Sequence, residues 1–277
     1  MKYTVLTPTY NRQHTLSRVF ESLQVQTLRD FEWIIVDDGS TDDTGSLVKS
    51  WKTFFPIRYV WKPNGGKHSA INVGVSMARG EFLVIFDSDD ACTPNALERF
   101  HYHWQLIPDL SRFATLGCLC RTPEGSIVGE PFPAACIDAF TLADQVRYSK
   151  WERWRMDRTE VLRKFPFPEG ELFVPESLIW NRISKEYAQR FFNEALRIYE
   201  PQPDSLSHKG FALRAASPRA TLTLYRELAL ASVPVSFRIR AAFNFVRFAA
   251  IAALPWFFSR LFSLEWRGGR GQNRRKT

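Results

Sequence analysis

The sequence lacks a C-x-x-C pair, and its four cysteines (Cys92, Cys118, Cys120 and Cys136) are too few and too scattered for a disulfide framework. That excludes a small scaffold held together by bridges, argues against a structural zinc site, and fits a reduced, cytosolic thiol setting. Cys118 and Cys120, two apart in an apolar run, are expected on one face of a strand. The uncharged run Phe248–Ser259 is twelve residues long, short of the about 20 a membrane-spanning helix needs. No secretory signal is expected, because the opening "MKYTVLTPTYNR" reads directly as a strand and turn. Internal repeats and low-complexity segments are absent. Acidic residues are scarce in one place only: from Pro234 to Thr277 nine Lys/Arg face a single acid, Glu265. The first 233 residues carry 28 of each sign, so the net charge of +8 belongs to the C-terminal segment. A neutral body is no polyanion-binding surface, which argues against nucleic acid as a partner.

What is present is the material for a large core. With 45% hydrophobic and 14% aromatic residues among 277, disorder of the whole chain is excluded. Apolar runs alternate with helical patterns through the first half: strands over "YTVLT", "FEWIIVDD", "IRYVWK" and "GEFLVIF", and helices over Thr15–Gln26, the segment after "GSTDD" (capped by Ser40 or Thr41), and Lys67–Ala78. Continuous apolar strands separated by single helices predict an α/β fold with a mostly parallel central sheet flanked by helices. After Pro94 the pattern predicts a helix over Asn95–Gln105 with Thr93 as N-cap, a strand over "FATLGCLCR" and a hairpin turn in "TPEGSIVG". Short helices follow over Leu142–Tyr148 and Glu160–Lys164, around the aromatic-basic "KWERWRM". A Pro-rich loop to Glu176, a helix over Ser177–Tyr187 and two short edge strands, "RFFN" and "LRIYE", complete this half.

In such sheets ligands sit outside the carboxyl ends of the strands. Three polar clusters, "TPTYN", "DDGST" and "DSDD", fall at those ends. Any one of them reads as a turn; three converging on one edge read as a site. Asp87, Asp89 and Asp90 crowd like charges together, and a hard divalent cation, Mg²⁺ or Mn²⁺, suits that arrangement. The alternative is a solvated acidic turn leading into helix capping, and Asp90 serves that role better than the metal.

"LTPTYNR", "FEWIIVDDGSTDDT", "NGGKHSAINVGVSMARGEFLVIFDSDD" and "VPESLIW" together resemble glycosyltransferase family 2, over roughly residues 2–200. The resemblance implies the Rossmann-like GT-A fold and inverting transfer of a sugar from a nucleotide-sugar donor, a UDP-sugar foremost. It implies a metal at Asp87 and Asp89, with Asp89 the direct ligand. It implies a donor pocket lined by Thr7, Pro8, Thr9, Tyr10, Asp37, Asp38, Gly39, Asp87 and Ser88, with Asp38 at the base or ribose. Where many members carry Ala-Arg-Asn-x-Gly, this chain has "SAINVGV", with Ile71 in place of the Arg. Lys67 stands nearby to supply the cation at the diphosphate, unless it is merely a solvated lysine on a turn. The family's catalytic base lies just before a helix in the second half, which points to Glu176. Glu169 and Glu171 compete for that role, and Glu176 can instead stabilise a helix N-terminus.

Trp151 and Trp154 suit either an acceptor pocket or the core, and His101 and His103 read as surface or packing residues. His208 is a candidate late metal ligand. The expected organisation is a glycosyltransferase domain over residues 1–215, with a nucleotide-sugar half (1–93) and an acceptor half (94–215), then a basic, apolar helical tail (216–277). Arginines interleaved with aromatics in Ala241–Phe262 suit a helix in the membrane interface, or one packing on the domain or a second copy. The first reading gives a peripheral contact with anionic membrane at its cytoplasmic face, and a saccharide or lipid-linked acceptor in surface-polysaccharide or glycolipid assembly. The competing activities are a sugar-phosphate nucleotidyltransferase and a non-catalytic carbohydrate- or membrane-binding protein.

Overall fold

The computed structural model of the chain describes residues 1–200 and 209–254. Its first third is a run of βα units: β1 (Tyr3–Thr9), α1 (Leu16–Gln24), β2 (Phe31–Asp37), α2 (Thr44–Ser50), β3 (Ile57–Trp61), α3 (Lys67–Met77) and β4 (Phe82–Ile85). Every residue of β1 and β2 is buried, as expected of strands covered on both faces. Alternate residues feed two cores. Tyr3, Val5, Trp33 and Ile35 pack on one face with Leu16, Val19 and Leu23 of α1. Leu6, Ile34 and Val36 pack on the other with Ala70, Ile71 and Val75 of α3.

The second part adds β5 (Ala91–Cys92), α4 (Ala96–Gln105), β6 (Phe113–Arg121), β7 (Cys136–Ala139), α5 (Leu142–Tyr148), β8 (Arg153–Arg158), α6 (Thr159–Lys164), α7 (Ser177–Ile183) and β9 (Ala188–Ile198). Nine strands form one sheet in the order β3-β2-β1-β4-β8-β6-β9-β5, with β7 also on β9. β1 to β4, β6 and β9 share one direction, and β5, β7 and β8 oppose them. The α/β fold with a mostly parallel sheet is therefore as expected, as is the hairpin turn, where Thr122 N–H donates to the Ser126 carbonyl at 2.8 Å. Cys118 and Cys120 lie buried in the same core, and all four thiols are free.

Several local expectations are corrected. "RFFN" and the first three residues of "LRIYE" belong to one eleven-residue strand, β9; the polar residues at their junction are satisfied by tertiary partners, Asn193 by Phe132 and Glu194 by Arg99 and His103. Arg153–Met156 is not a link between helices but the start of β8, antiparallel between β4 and β6. Trp154 belongs to the core, donating its indole N–H to the Ile85 carbonyl at 2.8 Å. Of the surface and packing alternatives for His103, the structure has packing: it is buried and stacked on Phe192. Thr93 does not cap α4, which begins at Ala96 behind Asn95. Neither Ser40 nor Thr41 caps α2; Asp42 receives the Thr44 N–H at 3.1 Å instead. α7 ends at Ile183, four residues before Tyr187.

Three C-terminal helices follow: α8 (Gly210–Ala216), α9 (Pro218–Ala229) and α10 (Val235–Ala252). α9, on the tail side of the expected boundary, contributes Ala220 and Leu224 to the second core. α10 folds back on it through Phe248, which stacks on Tyr225 with ring centroids 5.7 Å apart. The opposite face of α10 stays open: Val235, Ile239, Phe243 and Val246 are 65–67% exposed. Among the described residues no helix is long and apolar enough to cross a membrane. His208 and residues 255–277, on which part of the tail and metal expectations rest, lie outside the described residues.

Candidate active site

The carboxyl ends of β1 and β2 lie side by side, Thr9 opposite Asp37. Much of the polar equipment predicted to line the donor pocket is spent inside the chain. Thr7 is buried and accepts the Trp33 indole N–H at 2.9 Å; Pro8 and Thr9 are buried too, and Tyr10 alone of the four stands out, 48% exposed. Asn11 joins the two strand-end loops, its N–H donating to Ser40 Oγ at 2.8 Å and its Oδ1 accepting from Thr41 N at 2.8 Å. Asp37 accepts from Ser40 N at 2.7 Å and from the Tyr59 hydroxyl at 2.6 Å. Burial, and after it this carboxylate, raises the Tyr59 phenol above its ordinary range.

Asp38, expected at the base or ribose of the donor, organises the loop before α3 in the structure. Its carboxylate is buried and accepts from Lys62 Nζ at 2.6 Å, Gly65 N at 3.0 Å and Gly66 N at 2.8 Å. These bonds pin the loop that launches α3. Gly66 has φ +91°, and a Cβ on it would lie 2.2 Å from the Leu172 carbonyl oxygen of the loop before α7. Only glycine fits both demands. Gly39, at φ +93°, faces Asn64 of the same loop. Ile71, standing where relatives of the motif carry Arg, is buried in the second core.

Lys67 is the first residue of α3, and its side chain reaches two acids. Nζ lies 2.7 Å from Asp87 Oδ1 and 2.8 Å from Glu176 Oε1. The other Asp87 oxygen takes a bond of 3.2 Å from Nη2 of Arg197, on β9. Arg197 also faces Asp90 at 2.5 Å and Glu152 at 3.8 Å. An alternating row of charges thus runs Glu176, Lys67, Asp87, Arg197, Asp90. Burial works to raise the Asp87 carboxyl, but Lys67 and then Arg197 outweigh it and hold it at about 2. Asp90, fully buried, is pushed up to about 7 by burial despite Arg197. Arg197 went unnoticed in the sequence; its signal is an arginine inside a strand that packs in the core, where an ionised side chain requires partners.

Asp89 stands apart. It takes no hydrogen bond among the described residues, and burial followed by the Asp87 charge raises its carboxyl. A carboxylate left in that position is stabilised by an incoming cation. Among the described residues no three His, Cys, Asp or Glu side chains converge on one point that could hold a metal. Asp89 and Asp87 offer the oxygen ligands that Mg²⁺ or Mn²⁺ takes when one or two carboxylates, water and substrate phosphate make up its shell. Ser88 is buried in the turn between the two aspartates.

Of the three candidate bases, Glu171 is occupied: it accepts from Arg219 N at 2.8 Å and Ala220 N at 2.7 Å, capping α9. Glu169 lies 3.4 Å from the Asn72 amide. Glu176 alone reaches the cluster. It occupies the N-cap position of α7 but makes no side-chain capping bond.

A family model described as glycosyl transferase family 2 matches residues 4–108. Glycosyltransferase GlyG of Streptococcus pneumoniae is 36% identical over 229 residues, covering 76% of this chain and 74% of that protein. Three uncharacterized glycosyltransferases of Rickettsia match at 37–39% identity over 97 residues, and there the chain spans only 14–16% of their length. The structure of S. aureus TarS 1-349 in complex with UDP-GlcNAc superposes with a TM-score of 0.62 at 20% identity, covering 90% of this chain and 72% of that one. Mannosyltransferase PcManGT from Pyrobaculum calidifontis, in complex with GDP-Man and Mn²⁺, gives 0.59 at 19% identity, covering 98% and 81%. These two likenesses establish the fold.

Proposed function

The chain belongs to glycosyltransferase family 2, and from that premise we propose that it moves a sugar, with inversion, from a UDP-sugar to a hydroxyl of a saccharide or lipid-linked acceptor. The observation that carries this reading is the meeting of Asp87 and Glu176 on Lys67 at the carboxyl edge of the sheet, with Asp89 two residues on in the same turn. A donor lies with its base near the exposed Tyr10 and its diphosphate toward Lys67. Asp89, with Asp87 beside it, would hold Mg²⁺ or Mn²⁺, and such a cation would offset the charge of the departing diphosphate. Glu176 takes the proton of the acceptor hydroxyl as that oxygen attacks C1. The uridine preference comes from the family resemblance, and the UDP-GlcNAc complex of TarS supports it.

The acceptor side of the proposal rests on α10. Its open stripe of Val235, Ile239, Phe243 and Val246, with Arg240 and Arg247 along one flank and no acid in the helix, suits the interface of an anionic membrane. We place the enzyme at the cytoplasmic face, acting in surface-polysaccharide or glycolipid assembly. Calorimetric titration of UDP, GDP and dTDP with and without Mn²⁺, on wild type and Asp89→Ala, tests the donor site. Metal-dependent binding of one nucleotide, lost in the variant, is the expected result. Folded protein that binds none of them overturns the reading.

A further inference from the structure

Lys67 binds the candidate base and a carboxylate of the donor site at once, but the two partners are not equally dependent on it. Asp87 has a second cation: when Lys67 turns away, Arg197 still compensates its charge. Glu176 has no such reserve. Among the described residues Lys67 is its one side-chain partner, and its carboxylate caps nothing. The backbone of Lys67 is fixed, because Asp38 anchors Gly65 and Gly66 just before it. What is left to move is the four-carbon stem and its ammonium, 28% exposed at the site. A diphosphate carries more charge than one carboxylate and competes for that ammonium.

We propose that Lys67 gates the base: without donor it holds Glu176, and a bound nucleoside diphosphate draws the ammonium away and frees the carboxylate. The inference rests on the donor-site reading above and adds an order of events to it. With the donor in place, Glu176 accepts the acceptor hydroxyl's proton while the new O–C1 bond forms. The C1–O bond to the diphosphate breaks, and its electron pair leaves with the nucleoside diphosphate. Before the donor arrives, the carboxylate oxygen that would take the proton is occupied by the Lys67 ammonium at 2.8 Å. Lys67 is thus a positioning residue for Glu176 as well as a donor contact.

The test reads the carboxylate, not turnover. Carbodiimide labelling of the full chain, quantified by mass spectrometry at Glu176, is compared without ligand and with saturating UDP, GDP or dTDP plus Mn²⁺. Calorimetry on the same samples identifies which nucleotide binds. Labelling of Glu176 is expected to rise on saturation, toward the level that Lys67→Met shows with no nucleotide. In that variant the label no longer responds, and nucleotide affinity falls by about tenfold, the loss of one charge-assisted hydrogen bond. Nucleotide binding with unchanged or reduced Glu176 labelling overturns the gate and leaves the donor site standing. Absence of any nucleotide binding overturns both. The wild-type comparison decides the matter even if the variant misfolds.

Discussion

Lys67 and Glu176 meet at 2.8 Å, one on the first turn of α3 and the other at the start of α7. The contact sets Glu176 apart from Glu169 and Glu171 and is the reason it is proposed as the base. Glu176→Gln is therefore expected to lower kcat by at least about a hundredfold, the low end for losing a general base. Nucleotide affinity should stay within a few-fold, and the melting temperature should hold, since no capping bond is lost. A variant that melts early with proportionate loss of activity would return Glu176 to a structural role.

Asp89 shows the opposite balance between stability and function. Its carboxyl is raised by burial and then by Asp87, so the charged form is disfavoured in the metal-free protein. Asp89→Asn is expected to melt higher than wild type in chelator at neutral pH, because a like-charge contact is relieved. The same variant should lose the rise in melting temperature that Mn²⁺ and nucleotide give the wild type, which amounts to about 2.7 kcal/mol at a hundredfold excess over Kd. Thermal scans in the four combinations of protein and ligand decide it.

How much of this was legible in the sequence depends on how local each signal is. The parallel half was, because β1 and β2 are buried on both faces and their apolar runs are continuous. β8 was legible in principle: Arg153, Trp154, Arg155 and Met156 alternate with period two, but the aromatic-basic composition masked the pattern. β9 was legible only as two pieces, since the partners that satisfy Asn193 and Glu194 and let the strand run through come from distant segments. At the site, the strand-end clusters announced where to look. They did not reveal which acids are free. Asp37 and Asp38 look like Asp89 in sequence, yet both carboxylates are consumed by tertiary contacts. Arg197 reaches Asp87 across 110 residues of sequence, a pairing that the fold alone creates.

The loop before α3 leaves no room for a side chain at Gly66. Its φ of +91° strains any L residue, and a Cβ meets the Leu172 carbonyl oxygen at 2.2 Å. Gly66→Ala is expected to cost at least about 2 kcal/mol, the conformational penalty plus the displaced loop. The same change shifts the segment that carries Lys67, so nucleotide affinity should fall more than in a variant of equal stability elsewhere. Urea denaturation and calorimetry on Gly66→Ala and on a core control separate the two effects.

The open face of α10 makes a prediction about location. Vesicles containing anionic lipid should carry the full chain upward in flotation, and neutral vesicles should carry much less. Replacing Ile239 and Phe243 together by Ser removes two large exposed apolar side chains; it should reduce partitioning by roughly a hundredfold, at about 1.5 kcal/mol or more for each. Donor binding in solution should be untouched, because α10 packs on α9 and α8 and neither substituted side chain is part of the cluster around Lys67. A stripe that instead joins two copies would show as a dimer in light scattering that the double variant dissolves.

Acid stability follows from the two aspartates on either side of Arg197, which are shifted in opposite directions. Asp87 is held at about 2 against an ordinary 3.8, chiefly by Lys67 and then Arg197 acting against burial. Between those two values the unfolded chain binds a proton that the native state refuses. The stability this lends is complete above about pH 4 and is lost as the pH falls toward 2, to an extent of about 2 kcal/mol. Asp90 is pushed up to about 7 by burial, then partly restrained by Arg197. From about pH 4 to pH 7 its native state holds a proton that the unfolded chain releases, so this carboxyl makes stability fall as the pH rises. In chelator, the stability difference between wild type and Asp87→Asn should therefore shrink on acidification from pH 4 to pH 2. Asp90→Asn should gain on wild type as the pH rises from 4 to 7. Denaturant melts of each variant against wild type across that range measure both limbs. A pH-independent gap for Asp87→Asn would mean that the Lys67 and Arg197 contacts do not hold its charge in solution.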